Sequence, residues 1–397
     1  MGTRASELSA KAVTFAVCLR LSGMDTTAVL SPASVQKKLR SRSSALAATE
    51  SVVTLRPRLG ETPSLFVKRL ADELNEREAA ILMLMVYGAV ESGVEFESEL
   101  RRCFSGAHFP LMWVDGASCT GEKIAGVQVF VAKKSVELHR VTLGGRVVGT
   151  VFEDGGARHC LLGGLMPRDV TLAWPDQVPT LLADAARALA SVGFGYGDLA
   201  RTWFYNDDIL AWYDDFNRAR TGFYRQQRFA TGSLPASTGI SARNPCGAAL
   251  TFGGWAVIPA SAGASMREVA SPLQCPAPAY GSSFSRAMEI VSGGRRRLLV
   301  SGTASIEPGG KTVWQGDTAR QIDLSMKVVE AILASRQLGF GDVTRATAYF
   351  KHADDVALFE SWCAARGLDR LPVVPLHCDI CRDDLLFEIE LDACVAI

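Results

Sequence analysis

The sequence predicts an α+β fold: two tandem β-β-α-β-α-β units, helices packed on one face of each sheet, preceded by a small αβ region. The first observation behind this is a line of text that occurs twice. Residues 177–205 read QVPTLLADAARALASVGFGYGDLARTWFY, and residues 321–350 read QIDLSMKVVEAILASRQLGFGDVTRATAYF. Without a gap, Gln177 falls on Gln321, Gly197-Asp198 on Gly341-Asp342, Arg201 on Arg345 and Tyr205 on Tyr349. The second observation is that each copy runs from an amphipathic stretch through a Gly-aromatic-Gly-Asp turn into a strand. The third is that strand-like segments flank both copies in the same order. Two copies of one unit imply a built-in interface, and clefts between domains are where ligands bind.

The elements follow in order. Residues 1–60 are rich in Ser, Ala, Arg and Lys, with KKLRSRSS at 37–44, and read as a disordered or targeting-like extension. Over 61–124 a small αβ region is expected. Thr62-Pro63 opens a helix as a capping hydroxyl followed by a first-turn proline. Phe66, Leu70 and Leu74 recur at helical spacing, and 81–86 reads as a buried strand. The first repeat unit is placed at 125–265. GVQVFVA and VELHRVTLGGRVVGTVFED read as its strands, the latter broken by a Gly-Gly turn. A helix around 177–191, a strand at 199–205, a helix carrying Trp212, Phe216 and Phe223, and a closing strand in 248–260 complete it. The second unit, 266–397, repeats the plan with LLVSGTASI, a helix over 321–336, a strand at 343–350, a helix with Phe359 and Trp362, and LLFEIELDACVAI.

Composition bounds the function. At 397 residues the chain holds two or three domains. Lys+Arg and Asp+Glu are both 42, so no overall field favours nucleic acid or a membrane surface. No apolar run approaches the ~20 residues of a membrane span. Ten cysteines scattered through so long a chain point to reduced thiols in a cytoplasmic protein.

Chemistry-bearing residues cluster in and around the repeats. Glu388 and Glu390, two apart on the last strand, share a face with Asp392, while Phe387, Ile389 and Leu391 share the other. A half-exposed strand with a solvated acidic side explains such a pattern, most readily for Glu390. Glu388, in glycine-lined surroundings, is the candidate proton donor, a carboxylic acid kept protonated by an apolar cleft. Arg201 and Tyr205 share a face of their strand. Arg201 offers a planar fork suited to a ligand carboxylate, its expected role, with a structural ion pair as the alternative, since the equivalent Arg345 shows that an arginine here can be simply part of the fold. YGSSFSR, 280–286, is a wall of hydroxyls and a guanidinium, or a turn at the domain junction. Cys378-x-x-Cys381 beside His377 lacks a second ligand pair, so no metal is assigned. His159 and Cys160 lack an evident orienting acid for a nucleophile pair.

These strings resemble a known family. The unit with its SGTASI turn and EIELDA closing strand is similar to the RidA (YjgF) superfamily, which has a chorismate-mutase-like fold. RTW-x-Y, LPA-x-TGI, YG-x-S-x-SFSRA, SGTASI and CRDDLL-x-EIE resemble the chorismatase branch, over roughly residues 125–397. The resemblance implies release of pyruvate from the enolpyruvyl ether of chorismate, with no cofactor. It implies Glu388 as the catalytic acid. Arg201, Tyr205 and Arg286 would line the carboxylate and ring pocket, and Tyr280, Gly302 and Thr303 would form further walls. Cys381 would stand where cysteine accompanies 3-hydroxybenzoate formation and a smaller residue accompanies hydrolysis to a cyclohexadiene-diol carboxylate. Phe204 replaces the family's asparagine, CPAPAYGSS lacks an arginine, and Val373 stands where an enamine or imine hydrolase needs one. That hydrolase and a non-catalytic small-molecule binder are the alternatives. The implied partner is a small carboxylate. Both a monomer and a homo-oligomer stay open, since single-unit members form trimers.

Overall fold

The computed structural model describes residues 50–397 apart from Ala107. Within this range the chain builds three sheets. The first holds β1 (Glu50–Leu55), β2 (Ala79–Gly88), β3 (Leu111–Val114) and β5 (Ile124–Lys133), with α1 (Pro63–Glu76) and α2 (Gly93–Cys103) on one face; the two-residue β4 (Ala117–Ser118) joins the third sheet. The Thr62 hydroxyl accepts from the Leu65 amide at 3.3 Å, the N-cap predicted for α1.

The second sheet holds β6 (His139–Leu143), β7 (Arg146–Glu153), β8 (Ala157–Leu165), β9 (Leu199–Asn206), β10 (Ala236–Ser241) and β11 (Leu250–Pro259), covered by α3 (Trp174–Ala190) and α4 (Ile209–Tyr224). The third holds β12 (Ser265–Val269), β13 (Ala287–Ser292), β14 (Arg295–Ala304), β15 (Val343–Phe350), β16 (Val373–His377) and β17 (Phe387–Ala396), covered by α5 (Thr318–Ser335) and α6 (Val356–Ala364). Helices thus lie on one face of each sheet, as predicted. The other faces meet in a shared core containing Met83, Phe130, Trp203, Trp255, Met288 and Tyr349.

The second and third sheets share one order, β6-β7-β8-β11-β9-β10 and β12-β13-β14-β17-β15-β16, and the first, β1-β5-β2-β3, has that order without the leading hairpin. Each central strand has tyrosine at its penultimate position: Tyr87, Tyr205 and Tyr349.

Three expectations change. Residues 50–55 belong to β1, with Val53 buried, rather than to the extension; residues 1–49 of that segment lie outside the described residues. GVQVFVA belongs to the first sheet, paired with β1 and β2, and not to the first repeat unit. Each repeat unit also carries two strands beyond the four of the predicted rhythm: three rather than two precede its first helix, and one runs parallel to its central strand, β10 beside β9 and β16 beside β15. Thr-Gly in β10 and proline in β16 hide these parallel strands from a propensity reading.

The duplicated residues are structural. Gln177 accepts from the Ala249 amide at 2.9 Å and Gln321 from the Leu386 amide at 2.8 Å, each tying a helix to the start of its closing strand. Asp198 and Asp342 close their turns on Gly195 and Gly339 at 2.7 and 2.8 Å.

Candidate active site

A narrow cleft lies where α4 and β10 of the second sheet face β14 and β17 of the third. Tyr213, Phe216, Arg220, Ser237 and Gly239 line one wall. Tyr280, Arg286, Gly302, Cys381, Arg382 and Glu388 line the other.

The β17 strand places Glu388. Its apolar residues Phe387, Ile389 and Leu391 pack under α5 and α6, so the alternate residues Glu388, Glu390 and Asp392 turn toward the junction of the sheets. Glu388 is only 5% exposed. A register shift in β14 between Val300 and Thr303 brings Gly302 beneath it. A Cβ at position 302 would lie 2.0 Å from Glu388 Oε1, so only glycine admits the carboxyl there. Burial and then the neighbouring Glu390 charge push the Glu388 carboxyl up to about 8, against the pull of Arg201, Arg286 and Arg382. Glu388 is therefore a protonated acid at neutral pH.

Glu390 behaves oppositely. It is fully buried, so the solvated reading of its face fails. Burial alone would raise its carboxyl, but Arg345 and Arg201 together hold it below the usual range. Arg345 donates to Glu390 Oε1 at 3.0 Å, to Asp392 Oδ2 at 2.5 Å and to Gln128 Oε1 at 2.7 Å. The other Glu390 oxygen accepts from Arg201, from the Thr238 hydroxyl at 2.6 Å and from Trp203 Nε1 at 3.0 Å.

The structure brings together Tyr280, Arg286, Gly302, Cys381 and Glu388, and leaves Arg201, Tyr205 and Thr303 outside the cleft. Arg201 is fully buried and its Nη2 donates to Glu390 and to Thr238, the structural alternative, while its Nε and Nη1 are buried without a partner. Tyr205 is buried with its hydroxyl 3.4 Å from that of Tyr349. Thr303 is buried and donates to the Ser301 carbonyl at 2.9 Å. The string at 280–286 is both a turn and a wall: Ala277–Tyr280 form one 3₁₀ turn. Behind it, Arg286 donates to the Cys275 carbonyl at 3.0 Å.

Two cleft arginines escaped the sequence reading. Arg220, on α4, is 2% exposed and packs over Phe216 and Phe204, with a bond to Asn217 Oδ1 at 2.6 Å. Arg382 donates to the Gly310 carbonyl at 2.8 Å and, like Arg286, packs over the Tyr280 ring. A helix interior and a loop carry no motif for either, though Arg382 adjoins Cys381 in CRDDLL. Three guanidiniums thus face the cleft. Phe204 points into the apolar cluster under α4. Cys381 has its thiol pushed up to about 12 by burial and by Glu388, so it packs as a neutral wall.

The remaining sequence candidates lie apart. His377 Nε2 is 3.2 Å from the Lys351 carbonyl, and Cys378 packs against the shared core. His159 does have an acid, Asp154 at 3.2 Å, and receives a bond from Trp255 Nε1 at 3.2 Å. Cys160, however, packs in the opposite cluster under α3, so no nucleophile pair forms.

No family model matches the chain. A chorismatase of Streptomyces rapamycinicus is 33% identical over 221 residues, 49% of this chain and 64% of that protein. A 3-hydroxybenzoate synthase of Streptomyces hygroscopicus is 28% identical over 227 residues, 50% of this chain and 64% of that protein. A chorismatase of the same organism is 30% identical over 237 residues, 52% of this chain and 67% of that protein. The matches thus span about two thirds of each relative. A solved chorismatase structure superposes with a TM-score of 0.61 over 88% of this chain and 100% of that one at 20% identity, a likeness of fold. With 30% identity across two thirds of a curated relative and the same fold, the chain belongs to the chorismatase family.

Proposed function

We propose that the cleft cleaves the enolpyruvyl ether of chorismate or a closely related cyclic carboxylate, releasing pyruvate, with Glu388 as the proton donor. The observation that carries this reading is Glu388 itself: a carboxyl buried over Gly302, raised to about 8, at the floor of a cleft edged by three arginines. Protonation of the terminal methylene turns the enol ether into an oxocarbenium centre, and the carboxylate left on Glu388 offsets that charge. Arg220, Arg286 and Arg382 match a substrate with two carboxylates, and their fixed stems hold it in one orientation. Arg220 and Arg382 supply cations that the CPAPAYGSS segment lacks. The apolar lining from Phe216, Ala304, Ile306 and Leu385 limits water at the reacting carbon.

Two outcomes balance. Attack by the neighbouring ring hydroxyl on the ring carbon that carries the ether breaks that carbon–oxygen bond and releases pyruvate. Opening of the strained oxygen bridge and loss of a ring proton then aromatise the ring to a hydroxybenzoate with no net water. Attack by water gives pyruvate and a cyclohexadiene-diol carboxylate. Cys381 fills the wall beside Glu388, which supports the first outcome. The test is to incubate the protein with chorismate, measure pyruvate with lactate dehydrogenase and separate the aromatic products. Pyruvate with equimolar 3-hydroxybenzoate is expected. Absence of pyruvate, with or without hydrolysis of an iminopyruvate in a parallel assay, would sink the proposal. Val373, packed in the apolar cluster of the third sheet, gives no support to the imine hydrolase.

A further inference from the structure

We propose that Thr238 is a positioning residue for Glu388, seating the acid by fixing the Gly302 backbone on which its carboxyl rests. The inference builds on the ether-cleaving reading of the cleft. A threonine hydroxyl has one proton to donate and two lone pairs to accept with, and at Thr238 all three are used. It donates to Glu390 Oε2 at 2.6 Å, accepts from Arg201 Nη2 at 2.6 Å and accepts from the Gly302 amide at 3.1 Å. Thr238 comes from β10 of the second sheet; Gly302, Glu388 and Glu390 come from the third. One hydroxyl therefore couples a buried ion pair to the main chain under the acid. The Thr238 methyl also lies 3.4 Å from the point a Cβ on residue 302 would occupy, the space that Glu388 Oε1 fills.

The other two sheet junctions act as internal controls. Counting from the penultimate tyrosine of each central strand, Thr238 corresponds to Val374 on β16 and to Met112 on β3. By the same register, Glu388, which faces Tyr349, corresponds to Gly126, facing Tyr87, and to Thr251, facing Tyr205. A Cβ at Gly126 would lie 2.9 Å from Val374, and one at Gly164, the counterpart of Gly302, would lie 2.0 Å from the Leu111 carbonyl. Where the acid is missing, the hydroxyl is missing too and the junction is closed by packing. Acid and hydroxyl occur together at the junction that holds the cleft.

The test compares Thr238→Val, which keeps the shape and removes the hydroxyl, with Thr238→Ser, which keeps the hydroxyl. For pyruvate release from chorismate, the valine variant is expected to lose at least about tenfold in kcat with KM within about twofold, because a misplaced acid weakens the step and not binding. The serine variant is expected to stay within about threefold of the parent. Equal losses in both variants, or a valine variant within twofold of the parent, would overturn the proposal. Should the valine protein fail to fold by circular dichroism, Thr238→Ala is read in its place. If the parent protein releases no pyruvate, the chorismate reading fails on its own. The positioning role is then judged by carbon-13 NMR titration of the Glu388 carboxyl, assigned with Glu388→Gln. A midpoint moved by about half a unit or more in the valine variant and unmoved in the serine variant supports it; one midpoint in all three proteins contradicts it.

Discussion

At the scale of single residues, Glu388 and Glu390 stand two positions apart and carry opposite protonation. The cause is their partners: Glu390 meets two buried guanidiniums, and Glu388 meets a glycine backbone and the edge of an apolar cleft. This arrangement costs stability in a defined pH window. Below about pH 4.3 both folded and unfolded chains hold the Glu388 proton. Between there and about 8 the folded protein keeps a proton that the unfolded chain has released, so its stability falls as pH rises through that range. Glu388→Gln removes the effect. It is expected to abolish pyruvate release and to be more stable than the parent by a few kcal/mol at pH 8, the gap closing toward pH 4. Thermal unfolding at the two pH values measures this, and a gap independent of pH would contradict it.

At the scale of elements, β17 is the strand on which the fold turns. Its odd-numbered residues, Phe387, Ile389 and Leu391, bury against helices, and its even-numbered acids bind arginines from β9 and β15 or face the cleft. Arg345→Ala would leave Asp392 without its guanidinium and Glu390 with one fewer, all in a buried junction. A loss of about 3–5 kcal/mol is expected in urea unfolding; a change under 1 kcal/mol would mean the network contributes little. Alternation on β17 was readable in the sequence, as were α1, α3, α5 and the central strands, because long periodic segments carry their own signal. The destination of the acidic face was not. A strand with one polar side reads as solvated unless the partner sheet is known, and Arg201, four residues before Tyr205, reads as a ligand group for the same reason. Arg220 sits within a helix among other polar residues and gains its meaning only when α4 docks beside β14. The parallel strands β10 and β16 were hidden by short length, glycine and proline.

At the scale of the whole molecule, two visible repeats became three sheets of one core topology around a shared core. The third copy escaped notice because its central strand, AAILMLMVYG, has replaced the arginine with Met83 and kept only the tyrosine. Its closing strand, Ile124–Lys133, reads as the opening of the next unit. Three copies give three junctions. Gly126 packs against Val374 at one and Gly164 against Leu111 at another, and Glu388 faces an open cleft at the third. The duplicated arginines and tyrosines hold the centre, and the chemistry is left to positions where the copies differ. The most direct measurement of this account is the pH dependence of kcat for pyruvate release from chorismate, in the parent protein and in Glu388→Gln. The account predicts a rate that is flat through neutrality, falls with a single proton as pH rises through about 8, and is absent in the glutamine variant. A rate that rises with pH across that range, or a glutamine variant as active as the parent, would contradict it.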